Sequence, residues 1–195
     1  PPRTVSSAAS DVYKRQTCIT DSLISIASDS GAIANGDAIE PDVAYNPSDN
    51  IHLVVWLQNE SGLNDLYETY GRLVEASGGT YTYLGDPFKI SDFTPDVGRS
   101  SEAPAVAYGD LGNERVFLVT WTDDRLSDER REIFGQFINA ATGDFIGSNI
   151  QISNVSAFGV DKDATESAVA FSKIQQEFLV ACLLYTSDAA DEKVR

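Results

Sequence analysis

An all-β fold of repeated, four-stranded antiparallel units is the architecture that this sequence predicts. Three observations carry it. Blocks of sequence recur at a fixed step. The recurring blocks have the length and composition of strands. Turn-forming residues separate them.

The first block is PDVAY at Pro41–Tyr45, which returns as PAVAY at Pro104–Tyr108 and SAVAF at Ser167–Phe171, each step 63 residues. An apolar run follows each copy: HLVVW ending at Trp56, FLVTW ending at Trp121, and FLVA ending at Ala181. These runs are rich in β-branched and aromatic residues and short enough to be buried strands. The third block is YGRLVEA from Tyr70, matched by FGQFINA from Phe134. DLYETYGRLVEA is the one stretch that passes for a helix, but its partner alternates Ile, Phe, Gly and Phe, so both read as strands. The fourth block is FKIS at Phe88–Ser91 and IQIS at Ile150–Ser153, with Ser25-Ile26-Ala27 as the end of an earlier copy. Asn46-Pro47-Ser48-Asp49-Asn50, Gly109-Asp110-Leu111-Gly112-Asn113 and Thr142-Gly143-Asp144 are the turn signals between blocks. Strands are expected near 41–46, 51–58, 67–76 and 86–91, then 104–109, 114–122, 131–140 and 148–153.

Four strands per unit with short turns is the pattern of a β-propeller blade. The whole unit resembles repeats of large bacterial secreted or surface proteins, similar to blades of the sialidase-like and WD-like kind. The expectation is therefore a β-propeller fragment of about two and a half four-stranded antiparallel blades; a sandwich of similar strands is the alternative. The blades run 29–91 and 92–153, with the end of a preceding blade at 17–28 and the first half of a third at 154–181. Tyr45, Trp56, Tyr108, Trp121 and Phe171 are expected to pack between neighbouring blades rather than to hold a ligand. A fragment with two open faces is expected to fold poorly or self-associate.

The two ends read differently. Ser6–Gln16 (SSAASDVYKRQ) resembles an in-frame translation of a transposase adapter used for sequencing libraries. Cys182–Glu192 (CLLYTSDAADE) resembles a translation of the reverse complement of the same oligonucleotide. Residues 1–16 and 182–195 are accordingly expected to be adapter-derived, against a natural linker and a short C-terminal strand as the alternative. The chain has no methionine, so it is expected to begin in mid-gene. Setting the ends aside removes Cys182 and leaves Cys18 alone, so no disulfide or redox compartment is inferred.

The charge bounds the partners. Thirty acids stand against 14 bases, a net of −16. Without the ends (three bases and one acid, then two and three) the balance is 9 bases to 26 acids, a net of −17. Such a surface repels nucleic acid and anionic membrane, and no apolar run approaches the roughly 20 residues that span a bilayer.

Chemistry-bearing motifs are sparse. His52 is the one histidine and lies within a strand, with no nucleophile elbow beside it. Sialidase-like propellers carry an Asp box, S-x-D-x-G-x-x-W; Ser28-Asp29-Ser30-Gly31 lacks its spacing and its tryptophan. Arg72, Arg99, Arg115 and Arg125 are not placed together by any spacing. Trp121-Thr122-Asp123-Asp124-Arg125 matches a W-x-D-x-R string common in the resembling repeats, which implies a turn clamp: Asp accepting a backbone N–H and Arg bridging to a neighbour. By the same resemblance, the acidic connections entering each blade line one mouth of a central channel. They carry Asp37 and Glu40, then Asp96 and Glu102, then Asp161, Asp163 and Glu166. These carboxylates either form a solvated rim or hold a hard cation such as calcium. No catalytic or cofactor-binding set is read. The functional expectation is a non-catalytic binding or scaffold module of a secreted or cell-surface protein, with a protein or carbohydrate ligand and the remaining blades of its own chain as partners. The alternative is a piece of a propeller glycoside hydrolase or sialidase whose catalytic residues lie in missing blades.

Overall fold

In the computed structural model, residues 37–59, 66–91, 100–127, 130–155 and 162–186 are described. They form ten strands. β1 (Ala38–Asn46), β2 (Ile51–Asn59), β3 (Tyr67–Ser77) and β4 (Thr80–Lys89) make one antiparallel sheet in sequence order. β5 (Ser101–Asp110), β6 (Arg115–Ser127), β7 (Arg130–Asn139) and β8 (Phe145–Gln151) repeat it, and β9 (Lys162–Ser172) with β10 (Glu177–Thr186) make a third sheet of two. The Tyr67–Ala76 stretch is a strand, which removes the helical alternative. The expected blade end at 17–28 with Ser25-Ile26-Ala27, Cys18, Arg99 and the Asp-box-like string lie outside the described residues, as does all of 1–16.

The outer strands start earlier than the sequence suggests: β4 at Thr80 and β8 at Phe145. Gly78 and Gly79 both have positive φ, 59° and 85°, which makes the two-residue turn that folds Thr80 back onto Ser77. After Leu84 the ladder breaks. Gly85, Asp86 and Pro87 stand opposite Arg72 alone, and pairing resumes at Phe88 with Gly71. The same interruption recurs opposite Gln136, with Gly147 at φ 71°.

Successive sheets stack face to face. Ile51, Leu53, Val55, Leu73 and Ile90 of the first sheet meet Val106, Phe117, Val119, Trp121, Phe134 and Ile138 of the second. On the far side of the second sheet, Ile133 joins Val155 and Ala164, with Val180 packed against them. The strand alternation sorts these residues, odd positions of β6 facing the first sheet and even positions the third. The first strands β1, β5 and β9 stand next to one another.

Trp121 is completely buried between the first two sheets. Trp56 holds the same register, opposite Tyr70 as Trp121 is opposite Phe134, and is also buried. A cross-strand aromatic pair recurs in each sheet: Tyr45–His52 at 4.6 Å, Tyr108–Phe117 at 5.7 Å and Phe171–Phe178 at 4.9 Å between ring centroids. Tyr108 and Phe171 are half-buried, but Tyr45 is 44 % exposed, against its expected burial. The reason is its side of the sheet. Tyr45 pairs with His52, on the face of the first sheet turned away from the second, and its hydroxyl donates to Asn50 Oδ1 at 2.9 Å.

Candidate functional site: the inner bulges

One irregularity recurs at the start of every first strand. Glu40 and Pro41 together oppose Trp56; Ala103 and Pro104 oppose Trp121; Glu166 and Ser167 oppose Cys182. These are β-bulges with an extra residue on the first strand. The leading residue is left-handed each time, φ 53° at Glu40, 47° at Ala103 and 53° at Glu166. The three positions are separated by the 63-residue step of the repeat.

The bulges are where the sheets are tied together. Glu40 Oε2 accepts from Ala103 N at 3.0 Å, and Asp42 Oδ2 from Val106 N at 2.8 Å. At the next junction Thr122 Oγ1 accepts from Glu166 N at 3.1 Å, and Ser167 and Thr120 share a hydroxyl bond at 2.9 Å. Arg131 N donates to Asp163 Oδ1 at 2.9 Å, while the Arg131 guanidinium lies 3.2 Å from Glu102.

Two depressions open on these bulges. One, of about 480 Å³, is lined by Glu40, Glu102, Ala103, Pro104, Glu166 and Ser167. The other, of about 280 Å³, adds Arg131, Asp163, Thr165 and Tyr185. Of the acids expected at the mouth, Glu40, Glu102, Asp163 and Glu166 are thus brought together. They lie within strands β1, β5 and β9 and not in connections, because the bulge lets each strand begin earlier. Asp37 differs: its carbonyl accepts from Asn59 N at 3.0 Å and Gln58 Nε2 at 3.3 Å. Asp96 and Asp161 lie outside the described residues. Among the described residues no group of three or more His, Cys, Asp or Glu is arranged to hold a metal ion.

Behind the bulges sits a second layer of polar clamps. Asp123, completely buried, accepts from Trp121 Nε1 at 2.7 Å, Arg125 N at 2.8 Å and Arg125 Nε at 2.9 Å. Arg125 reaches on to Asn149 Oδ1 at 3.1 Å and lies 4.2 Å from the Phe134 ring centroid. Asn149 in turn donates to Ile90 O of the first sheet at 3.1 Å. In the first sheet Gln58 replaces Asp123 and takes the Trp56 indole N–H at 3.1 Å.

The serine of each I-S block is a clamp that the sequence reading did not find. Ser91 Oγ accepts from Thr69 N at 2.9 Å and donates to buried Glu68, whose other oxygen is 2.7 Å from Lys89. Ser153 repeats this, accepting from Ile133 N at 2.8 Å and donating to Glu132 at 2.5 Å. The Arg or Gln after each glycine plugs the outer bulge. Arg72 Nε donates to Gly85 O at 3.0 Å, and Gln136 Nε2 to Ile146 O at 3.2 Å. His52 lies away from the bulges; burial lowers its pKa below the ordinary 6.5, partly opposed by a backbone hydrogen bond at Val74.

No protein-family model matches this chain, and no curated protein does. Among solved structures there is a match to a thermostable family-43 glycoside hydrolase, with a TM-score of 0.50 and 15 % identity over 82 % of this chain. The likeness is one of fold. That enzyme is a five-bladed β-propeller, and an all-β chain of stacked, antiparallel four-stranded sheets accords with it. This chain spans about half of the matched structure, 51 % of its length.

Proposed function

We propose that this chain is a β-propeller fragment acting as a non-catalytic binding or scaffold module of a secreted or cell-surface protein. In this reading the blades are 29–91 and 92–153, 154–181 begins a third, and further blades of the parent chain complete the ring. The observation that carries it is the use to which the inner carboxylates are put. Glu40, Asp42 and Asp163 accept backbone N–H groups of the adjoining sheet, and Glu102 is paired with Arg131. The first three hold neighbouring sheets together, Glu102 braces its own sheet, and the mouth is left a negatively charged, hydroxyl-bearing surface for a polar ligand. The test is a glycan array and a panel of aryl glycosides and sialosides, both run on the purified chain. Saturable binding without turnover is the expected result.

A second reading, a fragment of a glycoside hydrolase, is favoured by one observation. Glu40, Glu102 and Glu166 line one depression in a fold like that of the matched enzyme, and paired carboxylates are what glycoside hydrolysis requires. Turnover abolished by Glu40→Gln or Glu166→Gln would replace the first reading by this one.

The adapter origin of residues 1–16 and 182–195 belongs to the same proposal. What supports it at the C-terminal side is the repeat itself, since Cys182 stands opposite the third bulge where Trp56 and Trp121 stand in the other sheets.

A further inference from the structure

The three bulges share a backbone but not a side chain. Their leading residues have φ 53°, 47° and 53°, so the Cβ leaves each strand in the same way, yet the repeat has glutamate at 40 and 166 and alanine at 103. The backbone does not require alanine, since glutamate holds the same conformation twice. What changes with it is how the sheets are tied. Between the first and second sheets the ties are carboxylates of the first strand, exposed Glu40 and half-buried Asp42. Between the second and third, both of those positions are alanine, Ala103 and Ala105. The ties there come from Thr122 and Thr120 of β6, both buried, where the first sheet has Leu57 and Val55 in the same register. Ser167 completes the second tie, standing where the other bulges have Pro41 and Pro104. The link has thus moved from the mouth to a layer behind it. The space in front, which a side chain like that of Glu40 would cross from position 103, is open: both depressions are lined by Glu102, Ala103 and Glu166.

We propose that Ala103 is the specificity-determining residue of the mouth: by leaving this space unfilled it makes a cleft between the second and third sheets, and the ligand it admits is a carbohydrate. The inference rests on the binding reading above and adds to it where the ligand sits and what limits its size. The walls suit hydroxyl groups. Glu102 and Glu166 present acceptors and Arg131 presents donors, and a hydroxyl both donates and accepts. The cleft can be closed without loosening the sheets. The Thr122 and Thr120 ties do not involve the side chain of residue 103, and Glu40 accepts from its backbone N–H. A longer side chain at 103 therefore fills the cleft and breaks no bond between sheets.

The test uses the full chain and has two arms. In the first, Cys18→Ser and Cys182→Ser remove the native thiols, Glu166→Cys places one in the cleft wall, and its rate of labelling by N-ethylmaleimide is measured. Adding Ala103→Gln should slow labelling about tenfold or more, because a covered thiol reacts only when its cover opens. Ala103→Glu should do the same, whereas Ala103→Gly should leave the rate unchanged. Glutamine separates filling from charge, and a misfolded variant would label faster, the opposite of the expected result. In the second arm, the chain with its native cysteines and Glu166 is applied to the glycan array, where Ala103→Gln should abolish binding and Ala103→Gly should keep it. Labelling that neither longer side chain slows overturns the proposal, and so does array binding that survives Ala103→Gln. A chain that binds no glycan before any substitution overturns the binding reading itself, a result distinct from either labelling outcome.

Discussion

Replacing Asp123 by alanine removes the acceptor at the centre of the second sheet's clamp. Asp123 is completely buried and takes the Trp121 indole N–H, the Arg125 backbone N–H and the Arg125 guanidinium. A buried donor left unsatisfied costs about 1–3 kcal/mol, and breaking a buried ion pair costs about 3–5 kcal/mol. The Arg125 side chain is 19 % exposed, so water recovers part of its loss. The expected destabilisation is about 3–5 kcal/mol, or a fall in melting temperature of roughly 6–20 °C for a domain of this size. Calorimetry or urea denaturation measures it. Asp123→Gln should cost less, since Gln58 already performs the indole contact at the equivalent place. A double-mutant cycle with Arg125→Met isolates the pair and should show coupling above about 1 kcal/mol. If Asp123→Ala costs under about 1 kcal/mol, or the two changes are additive, the clamp does not stabilise the sheet and the reasoning fails.

Gly135→Ala would put a Cβ 2.7 Å from Ile152 Cδ1 and 3.1 Å from the Val119 carbonyl, and should lose about 1–3 kcal/mol by overpacking; adding Ile152→Val should recover part of this in the same denaturation assay. His52 titrates at a lowered pKa when folded. Stability should therefore be full above about pH 6.5 and fall as acid takes the pH toward the folded value, because the unfolded chain binds the proton first. His52→Phe, the residue that the second sheet has at this register, should flatten that part of the urea-midpoint profile. At the bulges, Ala103→Gly should be neutral or stabilising by up to about 1 kcal/mol, left-handed strain relieved against added chain entropy. Glu40→Gly relieves similar strain but forfeits the acceptor for Ala103 N, so it should destabilise by about 1–2 kcal/mol; the same sign for both would contradict the proposed role. Deleting residues 1–16 should leave the melting temperature unchanged.

The strands were legible because their signal is local. HLVVW and FLVTW are apolar runs of strand length, and a 63-residue recurrence fixes their order without knowledge of any contact. The Asp123–Arg125 clamp was legible through the resemblance of its W-x-D-x-R string to similar repeats, its members lying within one short motif. The Ser91–Glu68 and Ser153–Glu132 clamps were not, since their partners are separated by most of two strands. The early start of β4 was missed because the recurring block FKIS marks only the end of that strand, and the interruption at Gly85, Asp86 and Pro87 separates it from the residues paired before Leu84. The exposure of Tyr45 was not legible, because periodicity assigns a face but not what covers it. The acids of the mouth were read as loop residues because a left-handed bulge at glutamate or alanine has no compositional sign; glycine is the residue that usually marks one.

The bulges explain how the sheets stay in register. A left-handed conformation at Glu40, Ala103 and Glu166 costs of order 1–3 kcal/mol each, so something must hold it. At Ala103 and Glu166 the neighbouring sheet does. The bulge takes the backbone N–H out of its own ladder, and a side chain of the preceding sheet accepts it: Glu40 for Ala103, Thr122 for Glu166. The strain inside one sheet is thereby offset by a bond to the next, and neither feature is favourable alone. Since each sheet completes the bulge of its successor, the coupling runs in one direction along the chain, and the left-handed residue recurs at the repeat's own step. The same arrangement gathers Glu40, Glu102 and Glu166 around one depression. The residues that line this depression are therefore the ones that set the spacing of all three sheets, so its shape and the packing between the sheets are one physical system.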